Sequence, residues 1–587
     1  MKALRDLTRR GDRAEGSGSA TVRPGRGAGK SFLPWLGVLL FLGVFFFYPL
    51  ARILWVGLNP AALTGVTTGW LAVIRDTSLF TFYQSVLSTL LTLAVGLPAA
   101  FLFARFDFPA KSFLRTLTAI PFMLPTVVVA AGFTALLGPR GWMNIALMHL
   151  FQLATPPVVF SGTLGAILVA HVFYNTTIVI RIVGNAIAQL DPRLQQAARS
   201  LGANPAQVFR RVTLALLRPA ILAAALLVFI FDFTSFGVIL LLGGPGFSTL
   251  EVAIYTQAIS FFNMPLAALL SLIQLLCTLA FSILYSRMIP RTVVSVGPRT
   301  SVSTRPHGLP QRYFVGGLSI LLLVFYVLPL SALPLRSVLR LEADEGQRGQ
   351  VQYGLTGDYY RELFVNRNES VFYVPPFEAI GNSLGYAGVT VILSLLLGFP
   401  VATALAHPGR LARLLDPLLL LPLGASAVTL GLGFIITFNK PIFAAQFMLI
   451  SSPVLVPIAH TIIALPFVIR ALQPALASIP ERLRQAAAVL GASPRQVWLA
   501  VDWPIVSRAT LSAAVFAFTI SLGEFGASSL VVRPEYPTLP IAIARFLSQP
   551  GGLNYGQAMA MATILMVVCG VGILLIERLR LPGAGEF

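Results

Sequence analysis

The sequence predicts an all-α polytopic membrane protein, built as two parallel repeats of about six transmembrane helices. Four observations carry this expectation. Of 587 residues, 56% are hydrophobic and 11% charged, too apolar for a surface wetted on all sides. Many runs also reach the ~20 residues that cross a bilayer core of ~30 Å. A polar, basic stretch lying between two apolar runs, Gln189–Leu216 (QLDPRLQQAARSLGANPAQVFRRVTLAL), returns as Ser478–Ile505 (SIPERLRQAAAVLGASPRQVWLAVDWPI). Lys and Arg, finally, gather in alternate loops, as the positive-inside rule requires.

Taken in order, residues 1–31 are basic and rich in Gly and Ser, and read as a disordered cytosolic tail. Pro24–Ser31 (PGRGAGKS) ends like a phosphate loop. Pro24 stands where the first Gly belongs, however, and no strand precedes it, so nucleotide binding there is not expected. Apolar spans follow at Phe32–Leu58, Ser78–Ala104, Phe113–Leu137, Leu164–Ala186, Leu216–Leu242 and Pro265–Ser286. A second set lies at Tyr313–Leu335, Ile380–Ala406, Leu414–Phe438, Pro453–Leu472, Ala509–Val532 and Gly556–Ile576. The expected domains are 32–290 and 313–580, joined by a cytosolic linker at 291–312 rich in Pro, Ser, Thr and Arg. An insertion at 336–376 falls on the external side, and GDYYRELF within it reads as a short amphipathic helix.

With the tail inside, the inward loops hold Arg105, Lys111 and Arg115; Arg193, Arg199, Arg210, Arg211 and Arg218; Arg287 and Arg291; Arg410 and Arg413; and Arg482, Arg484 and Arg495. The outward loops hold few. The net charge of +20 is therefore read as orientation signal, with no nucleic-acid partner expected. Both chain ends then lie in the cytosol, and the halves are parallel repeats related by an axis along the membrane normal.

The duplication keeps one offset of 289 residues, as from Gly202 to Gly491. It pairs His171 with His460, Arg181 with Arg470, Phe236-Gly237 with Phe525-Gly526 and Thr249-Leu250 with Thr538-Leu539. Upstream, Gly96–Ala100 matches Gly398–Ala402 at another offset. In the first polar stretch Asp191 is an N-cap and Pro192 opens a helix; Gly202 stops it, Asn204 caps the next and Pro205 opens that one. Pro480, Glu481, Gly491, Ser493 and Pro494 repeat the grammar. Each stretch is a helix–Gly turn–helix, with Ala197, Ala198, Ala486 and Ala487 leaving room for another backbone. Apolar residues beside basic ones on such a hairpin suit docking into a partner's groove.

The pattern Ala-Ala-x-x-Leu-Gly-Ala-x-Pro resembles the "EAA" loop of type I ABC importer permeases, with Gln196 and Gln485 where the family has Glu. The resemblance implies a MetI-like permease fold. It assigns Ala197, Ala198, Leu201, Gly202, Ala203 and Pro205, and Ala486, Ala487, Leu490, Gly491, Ala492 and Pro494, to two loops that couple to ATP-binding subunits. Two permease domains in one chain resemble the thiamine and ferric-iron branch, as do LLLGGPGFSTLEVAIY and SLGEFGASSLVVRPEYPTLPIAI. Implied partners are a cytosolic ATPase dimer, an extracytoplasmic substrate-binding protein and the bilayer of a bacterial inner membrane. The chain itself is expected to be no enzyme and to bind no cofactor or metal.

Ionisable residues within spans are costly and mark candidate pathways. Asp232, Glu524, His171 and His460 are the candidates for the passage or its gate. Asp232 and Glu524 lie about one turn out of register, since Ser521 matches Asp232 and Ser235 matches Glu524. The alternatives are a permease for another solute, such as a polyamine or an oxyanion, and a secondary transporter driven by an ion gradient. The repeated hairpin argues against the latter.

Overall fold

The structure, a computed structural model, describes residues 32–59, 69–288, 304–341, 354–365, 375–406, 409–439 and 448–579. The N-terminal tail with Pro24–Ser31 and most of the linker at 291–312 lie outside the described residues.

Among the described residues, ten helices are long and apolar enough to cross a membrane. The first half contributes α1 (Leu33–Gly57), α2 (Trp70–Arg105), α6 (Leu164–Gln189), α8 (Pro205–Phe233) and α11 (Met264–Met288). Shorter helices lie between them: α3 (Lys111–Met123), α4 (Thr126–Leu137), α5 (Trp142–Phe151), α7 (Pro192–Ser200), α9 (Gly237–Leu242) and α10 (Leu250–Tyr255). The second half runs through α12 (Leu309–Ser337), α13 (Asp358–Arg361), α14 (Pro376–Ala406), α15 (Arg410–Gly424), α16 (Ala427–Phe438), α17 (Leu455–Ala477) and α18 (Glu481–Val489). It closes with α19 (Pro494–Gly523), α20 (Ser528–Val531), α21 (Leu539–Ser548) and α22 (Gly552–Leu579). The only strands among the described residues are Leu339–Arg340 and Gly354–Leu355, an antiparallel pair in the insertion.

The expected third span of each half is not one straight helix. Its two parts meet at 112° in the first half and 94° in the second. Leu124 is held extended by the following Pro125, which disfavours helical backbone before it. At the equivalent point Ala425 is extended, and Ser426 restarts the helix as N-cap, its side chain accepting from Thr429 N at 3.0 Å.

The fifth spans also differ from expectation. The run Leu216–Leu242 is broken after Phe233, and Ala509–Val532 after Gly523. Apolar composition is blind to these breaks because side chains make good the freed backbone groups. Gln84 Nε2 donates to the Asp232 carbonyl at 2.9 Å. The Glu524 carboxylate accepts from Ala527 N at 2.7 Å and Ser528 N at 2.9 Å. The following segments, read as external loops, instead fold inward as α10 and α21, with Leu250 and Ile543 fully buried.

The halves interlock through their first helices. Pro49 of α1 lies against Gly433 of α16, where an added Cβ would sit 3.0 Å from Pro49 Cβ. Pro329 of α12 lies against Gly132 of α4, where a Cβ would sit 2.8 Å from the Pro329 carbonyl oxygen. Each half thus presents a proline to a glycine of the other. Close backbone approach at small residues is the usual way membrane helices pack. The insertion is tied to the same assembly. Tyr359 of α13 is buried against Gly556 of α22, and Ser337 Oγ lies 2.8 Å from Tyr360 Oη.

Candidate functional site

The two hairpins are built alike. In the first, Asp191 caps α7, its carboxylate accepting from Arg193 N at 2.9 Å. Gly202 takes φ +84°. Its N–H donates to the Arg199 carbonyl at 2.9 Å, and Ala203 N donates to the Ala198 carbonyl at 3.1 Å. This is the Schellman pattern that ends a helix on a left-handed residue. Asn204 then forms a capping box with Gln207 at the start of α8. In the second hairpin Pro480 is the N-cap of α18, and Gly491 takes φ +83°. Gly491 N donates to Ala488 O and Ala492 N to Ala487 O, each at 3.0 Å. Ser493 forms the capping box with Gln496. Pro205 and Pro494 open the following helices, and both helices carry a turn of π-helix, at Val208–Thr213 and Trp498–Asp502. Such turns favour functional sites.

What each hairpin offers to its surroundings is also the same. Leu201 is 88% exposed and Leu490 87%. Ala197 and Ala486 are exposed, while Ala198, Ala203, Ala487 and Ala492 are half-buried under the turn. The hairpins differ in the clasp between their arms. Gln195 Nε2 donates to Thr213 Oγ1 at 3.3 Å in the first. At the matching positions of the second, Arg484 Nε donates to Asp502 at 2.9 Å. That bond to Asp502 raises the Arg484 pKa above its ordinary value. The sequence reading did not pair these residues, although each pair is 18 apart on matched arms.

The histidines lie deep in their own halves, each fastening three helices. His171 of α6 has Ser88 Oγ of α2 at 3.0 Å from Nδ1 and Ser235 Oγ, after α8, at 2.8 Å from Nε2. Asp232 Oδ1 lies 3.4 Å from Nδ1 and accepts from Asn175 Nδ2 at 2.7 Å. His460 of α17 has Ser521 Oγ at 2.7 Å from Nδ1 and Ser528 Oγ at 2.9 Å from Nε2. Glu524 Oε2 lies 3.3 Å from Nε2, and Ser521 reaches Thr390 of α14 at 3.3 Å. The one-turn displacement of the acids now has a physical meaning. Asp232 stands on the Nδ1 side of its histidine and Glu524 on the Nε2 side of the other.

These clusters pin the two breaks at the centre of the molecule. The residue after Ser235 is Phe236 and the residue after Glu524 is Phe525. Their rings stack across the boundary between halves, with centroids 5.6 Å apart and planes at 26°. Tyr255 stands beside Phe236 at 5.5 Å. Gly237 is wedged against Thr126 and Phe525, Gly523 against Pro125, and Gly526 against Ala427. All four helix breaks therefore converge on the stacked pair. Glu251 adds a bond without a counterpart, because Pro540 holds the matching position. Its carboxylate accepts from Gln274 Nε2 at 3.0 Å and from Ser426 Oγ, in the other half, at 2.8 Å. Sequence reasoning missed Glu251 by treating its segment as a loop; a lone acid in the apolar run Leu250–Tyr255 was the available signal.

Residues 93–294, which hold the first hairpin, His171 and Asp232, match the family described as binding-protein-dependent transport system inner membrane component. The chain carries a permease domain of this family. The permease is 28% identical over 507 residues to the thiamine transport system permease protein ThiP of Brucella abortus, covering 85% of this chain and 86% of that one. It is 27% identical over 531 residues to ThiP of Escherichia coli, covering 88% and 91%. It is 27% identical over 511 residues to a probable ABC transporter permease protein, y4fN, of Sinorhizobium fredii, covering 86% and 88%. These relatives match across both halves. The chain is thus the membrane component of a binding-protein-dependent importer, with two permease repeats in one polypeptide and a MetI-like fold.

Proposed function

We propose that this permease carries thiamine into the cell, receiving it from an extracytoplasmic binding protein and driven by a cytosolic ATPase dimer, one subunit on each hairpin. The observation that carries the coupling is the matched exposure of Leu201 and Leu490 at the tips of two capped, Schellman-terminated hairpins. An apolar side chain held rigidly in the open, twice, at equivalent positions, suits insertion into a partner's groove. The Lys and Arg distribution supports placing both hairpins and both chain ends on the cytosolic face of the inner membrane. The permease domains are taken as 32–290 and 313–580, with 291–312 linking them.

The Phe236–Phe525 stack serves as the gate, closed in this structure. His171 with Asp232, and His460 with Glu524, hold the adjoining breaks in place rather than binding solute. Thiamine is preferred over ferric iron because the named relatives are thiamine permeases. A cationic aromatic solute also meets favourable ring faces at Phe236, Phe525 and Tyr255. Uptake of labelled thiamine by cells with and without the chain tests the cargo. Uptake that depends on the chain, and is competed by unlabelled thiamine, is expected. Unchanged thiamine uptake on deletion contradicts it.

A further inference from the structure

The first half brings a buried acid to the boundary between halves, and the second half does not. Glu251, on α10, is fully buried. Its Oε1 accepts from Gln274 Nε2 at 3.0 Å, within its own half, and its Oε2 accepts from Ser426 Oγ at 2.8 Å, in the other half. The inward-folding helices α10 and α21 are fastened alike. Leu250 N donates to Thr81 Oγ1 at 2.9 Å, and Leu539 N to Ser383 Oγ at 2.7 Å. The side chains they carry differ. At the offset of 289 residues Pro540 matches Glu251 and Ala544 matches Tyr255. Gln274 corresponds to Leu565 by the register that pairs Ala267 with Ala558. Ser426 corresponds to Pro125 by the register that pairs the helix restarts at Thr126 and Ala427. Prolines therefore hold both mirrored positions, and no side-chain hydrogen bond can form between them.

Among the described residues the buried acids are Asp232, Glu251 and Glu524. Asp232 is engaged by Asn175 and His171, and Glu524 by Ala527, Ser528 and His460, all inside their own halves. Glu251 is the one of the three that bonds across the boundary. It stands one turn before Tyr255, whose ring lies 5.5 Å from Phe236 of the stacked pair. A latch between halves needs only a neutral acceptor. An ionisable group at this depth is costly and marks a pathway.

We propose that Glu251 is the specificity-determining acid of the passage, recognising the positive charge of the cargo once the gate opens. The proposal rests on thiamine being that cargo. When the halves part, the Ser426 bond breaks, because its two ends belong to different halves. The Gln274 bond lies within the first half and keeps the carboxylate oriented. One freed oxygen then meets a solute that carries one fixed positive charge, and Tyr255, one turn away, offers its ring face to the same cation. Away from bulk water such a charge pair is far stronger than in solution. In the closed state Gln274 and Ser426 satisfy the carboxylate, which offsets the cost of burying it.

The test uses the full importer, with its ATPase and binding protein, in proteoliposomes. Uptake of labelled thiamine is compared with uptake of a neutral analogue carrying thiophene in place of the thiazolium ring. Glu251→Gln keeps the shape and removes the charge, and is expected to lower the preference for thiamine over the analogue at least about tenfold. Glu251→Asp keeps the charge and is expected to retain most of the preference. Ser426→Ala removes the bond between halves but leaves the carboxylate, and is expected to keep the wild-type preference. If Glu251→Gln keeps that preference, the proposal is wrong. It is equally wrong if Ser426→Ala loses the preference as Glu251→Gln does, which makes Glu251 a latch, or if both Glu251 variants lose the two solutes alike, which makes it part of the fold. Wild type that takes up no thiamine overturns the cargo itself, and this proposal with it.

Discussion

Truncating Leu201 and Leu490 to Ala separates docking from folding. Both side chains are almost fully exposed, at 88% and 87%, so the folded chain gains little from them. Exposed substitutions of this kind change stability by about 0.5 kcal/mol or less. If each leucine enters a groove on an ATPase subunit, docking buries it. Burying a whole leucine stabilises by about 1.5–3 kcal/mol, at ~0.8 kcal/mol per methylene. Removing all but the Cβ then costs about 1.5–2 kcal/mol per site, or about 10- to 30-fold in affinity. The hairpins share no partners, so the double variant is expected to lose the sum, about 3–4 kcal/mol or a few hundredfold. The assay is ATPase binding to the chain in nanodiscs, with a thermal melt of the chain alone. Affinity within twofold of wild type for the double variant refutes docking. A melting temperature lowered by several degrees shows instead that the leucines serve the fold.

Further consequences follow from the same geometry. Gly132→Ala and Gly433→Ala place a methyl against Pro329 and Pro49 and are expected to destabilise the joint between halves by about 1–3 kcal/mol each. Gly316→Ala and Gly385→Ala, with nothing within 4 Å, are the matched controls in the same thermal melts. His460→Ala strips partners from buried Ser521, Ser528 and Glu524, at about 1–3 kcal/mol for each group left unsatisfied. A melt showing less than 1 kcal/mol lost contradicts its role as a pin. The Arg484 pKa is raised by Asp502, so its contribution is fully present below the ordinary arginine value and is lost only as pH rises through a still higher one. Hydrogen exchange of the second hairpin, corrected for the intrinsic rate, is therefore expected to show no loss of protection from Arg484 titration between pH 6 and 10. Phe236→Ala with Phe525→Ala is expected to raise ATP hydrolysis in the absence of the binding protein, and an unchanged basal rate argues against the gate.

The hairpins were legible in the sequence because their structure is local. Asp191, Gly202, Asn204, Ser493 and Gly491 act on neighbours within a few residues, so spacing alone specifies caps and stops. The two-half architecture was legible for a different reason: a repeat shows itself without any knowledge of contacts. The helix breaks were not legible. Leu216–Leu242 is mostly apolar, and the group that satisfies the carbonyl freed at its break, Gln84, comes from a distant helix. The same holds for Glu251, whose partners Gln274 and Ser426 lie 23 and 175 residues away. Asp232 and Glu524 were visible as intramembrane acids, but their register shift gained a meaning only once each was seen beside a different nitrogen of its histidine. Phe236 and Phe525 entered the sequence reading as markers of the repeat. That they meet each other is a property of how the halves face, which periodicity does not encode.

The central claim is that ATP hydrolysis by a docked partner, not an ion gradient, drives transport through this chain. Its most direct test is reconstitution of the chain in proteoliposomes, with and without its ATPase and binding protein. Solute uptake is expected only when ATP, ATPase and binding protein are all supplied, and is expected to vanish in Gly202→Pro with Gly491→Pro. Those substitutions force a φ near −65° where the hairpin turns need a positive value. Uptake by the chain alone under a proton or sodium gradient would contradict the account.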